Sequence, residues 1–228
     1  NDILELLPKK KQSLLFSATI TDDVSALIDD HFNAPERIIS ADSGTPLDNI
    51  TQAKFHIPNF YSKVSLLKHH LQDKEKFNKV IIFLNTKKMA DVLHENIVEL
   101  YGEEVGVIHS NKSQNYRLNA ISKFDNGEHR LLIATDILAR GIDLNTVSHV
   151  INFDIPEEAE SYVHRIGRTG RAEAEGRTIS YITDKEKPFM ESIEGLMEYA
   201  VPEINVPASV EITEELLYSE IEEVQMPN

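Results

Sequence analysis

Short apolar, β-rich runs alternate with stretches of helical period along most of this chain. Ala53 to Ile57 precedes Tyr61 to Leu71, Val80 to Leu84 precedes Lys87 to Leu100, and Val105 to Ile108 precedes Ser113 to Phe124. Leu131 to Ala134 follows, then Val150 to Phe153 before Glu157 to Ile166, and Thr178 to Ile182 before Lys185 to Tyr199. Runs of four or five consecutive apolar residues suit strands buried on both faces, and the interleaved helices supply the crossovers that parallel strands require. The pattern predicts an α/β fold, a parallel sheet with helices on both faces. Ahead of it, Gln12 to Phe16 reads as a short strand and Val24, Leu27, Ile28 and Phe32 lie at helical spacing behind a capping Thr21, with Pro35 ending the helix. Residues 40–52 have the composition of a loop.

Composition narrows the class. The chain has 228 residues, 41% hydrophobic and 27% charged, enough for one good core with appendages. It has no cysteine, which excludes a disulfide framework, and the run Val80 to Leu84 is far short of a membrane span. The expected setting is the cytoplasm, without membrane attachment. A net charge of −15 looks wrong for a nucleic-acid binder, whose affinity comes largely from neutralising phosphates. Its distribution removes much of the conflict. Residues 188–228 hold ten glutamates and no Lys or Arg, which leaves the preceding body only mildly acidic. In this tail Leu216, Leu217 and Ile221 lie between Pro207 and Pro227, predicting one short helix or partial disorder, and its few apolar residues suggest that the core folds without it.

One decapeptide stands out, Tyr162-Val163-His164-Arg165-Ile166-Gly167-Arg168-Thr169-Gly170-Arg171. Arginines three apart are compatible with a solvated helix face. Two glycines within four residues disfavour a continuous helix, and close approach of backbone to a phosphate is one reason to keep them. Guanidinium forks suit phosphate oxygens. The segment resembles motif VI of the DEAD-box RNA helicases. Other motifs of that family stand in order around it: Ser17-Ala18-Thr19 (III), Ile81 to Thr86 (IV), Gln114-Asn115-Tyr116-Arg117 (IVa), and Ala134-Thr135-Asp136 with Ala139-Arg140-Gly141-Ile142-Asp143 (V). The run His109 to Gln114 resembles the bacterial RhlE-like branch.

The resemblance implies a RecA-like fold and assigns roles. Arg168 and Arg171 would reach the terminal phosphates of ATP, and Gly141 and Asp143 would lie at the nucleotide, Asp143 accepting from a ribose hydroxyl unless it is only a turn aspartate. Thr86, Gln114, Arg117 and Thr135 would contact the RNA backbone without reading sequence. Thr86 and Ser113 also stand where helix caps belong, a role compatible with phosphate contact. Ser17, Thr19 and His164 would couple the two lobes of a helicase, and Arg140 is open between a salt bridge and RNA contact. No Gly-x-x-x-x-Gly-Lys-Ser/Thr loop and no Asp-Glu-Ala-Asp sequence occurs, so the ligands of ATP phosphates and Mg²⁺ are expected on an N-terminal RecA-like lobe. The expected division is residues 1–39 as the end of that first lobe, 40–52 as linker, 53–203 as the C-terminal lobe and 204–228 as acidic tail. Such a chain would be the C-terminal part of a monomeric ATP-dependent RNA helicase, inactive alone, holding half an active site. No histidine shows metal-ligand spacing, and no protein-bound metal is assigned. The rivals are a DNA translocase of the wider superfamily and a non-enzymatic binding module.

Overall fold

In a computed structural model of the protein, residues 8, 10–17, 22–38, 49–136, 147–170 and 175–225 are described. The chain divides into two compact units, residues 1–43 and 44–228. In the first, helix α1 (Asp22–His31) forms where the apolar spacing predicts it and buries Ile28. The strand expected over Gln12 to Phe16 does not form. Leu14 and Phe16 are 70% and 90% exposed, and no strand among the described residues pairs with them. An apolar run becomes a strand only when a neighbour takes up its backbone hydrogen bonds.

The second unit is built on six strands: β1 (Ile50–His56), β2 (Val80–Phe83), β3 (Val105–Ile108), β4 (Leu131–Ala134), β5 (His149–Asn152) and β6 (Gly176–Ile182). They form one sheet in the order β1-β6-β5-β2-β4-β3, and every pairing is parallel. Between them run α2 (Phe60–Leu71), α3 (Lys87–Tyr101), α4 (Gln114–Asp125), α5 (Ala159–Ile166) and α6 (Lys187–Met197), and α7 (Tyr218–Gln225) follows. Alternation along the strands sorts the core into layers. Val80 and Ile82 point towards α2 and α3, packing with Leu67, Leu71, Leu93 and Ile97. Ile81 and Phe83 point the other way, towards Ala120 and Phe124 of α4. Beside α4, Ile166 of α5 and Ile193 of α6 close over Ile50 and Ile182. This is the predicted two-sided parallel sheet.

β1 begins at Ile50, so residues 50–52, read from sequence as linker, belong to the sheet. Their polar look misleads because Gln52 is buried and accepts a hydrogen bond from the Tyr162 hydroxyl at 3.0 Å.

The acidic tail is no free appendage. At the open edge of the sheet the Lys54 backbone N–H donates to Pro202 at 2.9 Å and the Ile204 N–H donates back to Lys54 at 2.8 Å, covering the edge strand. The chain then lies along α2. Val210 is buried in the core, with Val206 and Leu217 against it, Asn59 Nδ2 donates to the Thr213 carbonyl at 2.6 Å, and Glu220 accepts from the Phe60 N–H at 3.0 Å. A sparse composition thus hides the segment's part in the core: a few well-placed apolar residues and backbone partners tie it to α2 and the sheet. Burial of a valine-sized side chain contributes about 1.5–3 kcal/mol, and deleting residues 207–228 should lower the melting temperature by roughly 5–10 °C in a domain of this size. A differential scanning measurement that finds no change would refute the packing. No helix among the described residues is long and apolar enough to cross a membrane.

Candidate nucleotide and RNA interface

Sheet order creates the site. From β2 the chain crosses through α3 towards one edge, and from β5 it crosses through α5 towards the other, on the opposite face. β2 and β5 are adjacent, so a crevice opens between their carboxyl ends, the usual ligand position in open parallel sheets. Phe83 stands in register with both Ala134 and Asn152. Three loops therefore leave the sheet at one level: Asn85 and Thr86 after β2, Thr135 and Asp136 after β4, Asp154 and Ile155 after β5.

A single guanidinium joins them. Arg165, on the last turn of α5, is 0% exposed. Its Nε and Nη2 donate to the two carboxylate oxygens of Asp136, each at 2.6 Å; Nη1 donates to the Asp154 carbonyl at 2.7 Å, and Nη2 also reaches Asn85 Oδ1 at 2.9 Å. The group lies 5.3 Å from the centroid of the Phe83 ring. Asn85 is fully engaged, its N–H on Asp154 Oδ2 at 3.1 Å and its Nδ2 on the Ile155 carbonyl at 2.8 Å. Beneath this, the buried Lys63 ammonium donates to the Phe153 carbonyl at 2.6 Å and to Glu186 at 2.8 Å. Burial pushes the Asp154 carboxyl up, against the pull of Lys63.

The residues assigned to RNA surround the crevice on its β2, β4 and β3 side. Thr86 is exposed and caps α3, accepting from the Met89 N–H at 3.1 Å. Ser113 caps α4 in the same way. Gln114 and Arg117 share one face of α4, where the guanidinium donates to the Gln114 side chain. Thr135, directly after β4, is buried at 6% exposure. Two helix N-termini thus open at the carboxyl end of the sheet with their caps exposed, an arrangement suited to phosphate.

Gly167 ends α5, its N–H donating to the Val163 carbonyl at 3.0 Å, and the next turn carries Arg168, whose Nε donates to the His164 carbonyl at 3.2 Å. His164 Nδ1 is buried and has no hydrogen-bond partner among the described residues. Gly170 has φ +70°, and a Cβ there would stand 2.8 Å from Ile50, while one on Gly176 would stand 2.5 Å from the Gly170 nitrogen. The backbone turn and its packing against Ile50 and the start of β6 by themselves require glycine at this position. Arg171, Arg140, Gly141, Asp143 and Thr19 lie outside the described residues. Ser17 belongs to the first unit.

Sequence reading quoted Arg165, Asn85 and Asp136 within motifs without giving them a role of their own, and it passed over Lys63. A signal existed for the first: Tyr162, Arg165 and Ile166 fall at i, i+3 and i+4 of one helix, and both companions are fully buried.

The helicase conserved C-terminal domain model matches residues 62–173. The chain is 38% identical over 210 residues to ATP-dependent RNA helicase DbpA of Bacillus subtilis, covering 92% of this chain and 43% of that one. Among solved structures, the C-terminal domain of the DEAD-box protein Dbp5 shares 30% identity and a TM-score of 0.61, with 78% of this chain and 97% of that chain covered. S. cerevisiae Dbp5 bound to RNA and ADP BeF3 gives a TM-score of 0.78 at 28% identity, over 97% of this chain and 56% of that one. The sheet and its site define a RecA-like helicase C-terminal domain. The chain belongs to the DEAD-box RNA helicase family. It spans less than half the length of the curated relative named above.

Proposed function

We propose that this chain is the C-terminal part of an ATP-dependent RNA helicase, the RhlE-like branch being suggested by His109 to Gln114, acting in the cytoplasm as a monomer. One observation carries the reading: helix caps suited to phosphate stand exposed at the carboxyl ends of the parallel strands, and α5, which follows β5, sends Arg165 into the crevice there and carries Arg168 on the turn that follows it. Thr86, Gln114, Arg117 and Thr135 hold the RNA backbone, which fixes position without base identity. Arg168 and Arg171 donate to the phosphates of ATP, with Gly141 and Asp143 at the nucleotide. The donor set fits a triphosphate, since a guanidinium fork and a neighbouring imidazole nitrogen without a partner offer hydrogen bonds to anionic oxygen. Mg²⁺ would be held by carboxylates of an N-terminal RecA-like lobe, the family's Asp-Glu-Ala-Asp sequence having no counterpart among these 228 residues. His164, Ser17 and Thr19 then serve the contact between lobes. Closure of the two lobes on RNA and ATP, with bending of one RNA strand, separates a short duplex.

The test compares ATP hydrolysis by the full-length protein with RNA, with DNA of the same length and with neither, and by this chain alone. Stimulation by RNA and background hydrolysis by the isolated chain are expected. Equal stimulation by DNA would favour a translocase, and no stimulation by either would leave a binding module.

A further inference from the structure

We propose that Arg165 is a positioning residue that couples RNA contact to the arginine-bearing turn after α5. The inference rests on the function proposed above and assigns that site its internal link. The guanidinium binds the residue after Thr135, namely Asp136, and the residue before Thr86, namely Asn85, within 2.9 Å. Both RNA-facing threonines are thus one covalent step from a group held by Arg165. On its own chain Arg165 precedes Arg168 by three residues, and the Arg168 backbone N–H donates to the Arg165 carbonyl at 3.1 Å. The path from RNA-side loops to nucleotide-side turn has no slack: each carboxylate oxygen of Asp136 takes one guanidinium bond, and Asn85 uses its N–H, its Nδ2 and its Oδ1.

Stability alone does not explain such a residue. A buried ion pair replaced by well-packed apolar side chains is often neutral or stabilising, because desolvation offsets the attraction. What the ion pair supplies, and an apolar contact does not, is direction. A planar fork with bidentate geometry fixes the angle of α5 relative to the β4 loop, and the Asn85 and Asp154 bonds fix it relative to β2 and β5. Ordering of Thr86 and Thr135 on an RNA backbone therefore restricts where the turn after Gly167 can point. Without the link, RNA would still bind and the arginines would still exist, but one would no longer orient the other.

The experiment uses the full-length protein with Arg165→Lys, which keeps the charge and loses the fork, with Asp136→Asn and with Asn85→Ala as a milder break in the same link. ATP turnover without RNA, turnover at saturating RNA, RNA affinity and thermal melting are measured for each against wild type, whose RNA stimulation is the control. The stimulation factor should fall by about tenfold, inside the 5- to 150-fold range usual for coupling between sites. Turnover without RNA should stay within roughly twofold, and the double variant Arg165→Lys/Asp136→Asn should be no worse than the poorer single one, as expected of residues acting as a unit. Equal loss of turnover with and without RNA would mean a merely structural role, and full stimulation in any variant that melts normally would break the link; either result overturns the proposal. Wild type without RNA stimulation would instead sink the functional reading beneath it. If Arg165→Lys fails to fold, Asn85→Ala decides by the same criteria.

Discussion

Replacing Arg168 or Arg171 by alanine in the full-length protein should lower ATP turnover by roughly 10³- to 10⁵-fold, the range in which an arginine at a transferring phosphoryl group operates. The effect should fall on turnover more than on ATP affinity, because a guanidinium at the transferring phosphate would strengthen its interaction as charge develops on the oxygens. Arg168→Lys should recover only part of it, since a point charge replaces a planar fork. Folding should survive the Arg168 change. That side chain is half-buried at a turn, whereas Arg165, three residues earlier, is fully enclosed among Asp136, Asn85 and the Asp154 carbonyl. Single-turnover kinetics with parallel melting curves check both statements, and wild-type turnover in both alanine variants would remove the arginines from the chemistry.

Acid should loosen the sheet unit as pH falls below 6.5. His149 stacks on Phe77 with centroids 4.1 Å apart, and His70 lies 5.5 Å from the same ring and 2.8 Å from the Tyr181 hydroxyl. Burial pushes the His70 imidazole down to about 4, with His69, Lys76 and His149 adding repulsion, and burial pushes His149 to about 4, with Arg177 and Lys76 adding theirs. The sign follows from linkage. Above the ordinary value of 6.5 neither folded nor unfolded chain binds these protons; below it the unfolded chain does, while the folded one refuses until about pH 4. Stability is thus lost as pH falls from 6.5 towards 4, by at most about 3 kcal/mol per histidine and less where water reaches the ring. His94, lowered by burial, shifts the same way, whereas Asp154, raised by burial, opposes the loss. Urea melts of this chain at pH 7.5 and pH 5 should differ in midpoint, and His149→Phe should flatten the dependence while preserving the stack on Phe77. An unchanged pH slope in that variant would place the acid sensitivity elsewhere.

By itself the sequence determined the layered architecture. Apolar runs of four residues and helical spacing are local patterns, and β2, β3 and β4 occur where those runs stand because a fully apolar tetrapeptide such as Val80 to Phe83 has no solvent face to offer. It also located the caps at Thr86 and Ser113 and the turn after Ile166, since capping and glycine breaks act within a few residues. Only the tertiary structure decided what depends on partners distant along the chain. Gln12 to Phe16 lacks a strand among the described residues to pair with, Ile50 to Gln52 gains β6, and the acidic tail folds onto α2 through Val210, Thr213 and Glu220. The division of labour among the arginines is of the same kind: three arginines at matched spacing look alike in sequence, and the rotation of α5 against Phe83 and Asp136 encloses Arg165 and leaves Arg168 on the open turn. Burial is a property of the surroundings, and those surroundings come from Asn85, Asp136 and Asp154, which only the sheet brings to one place.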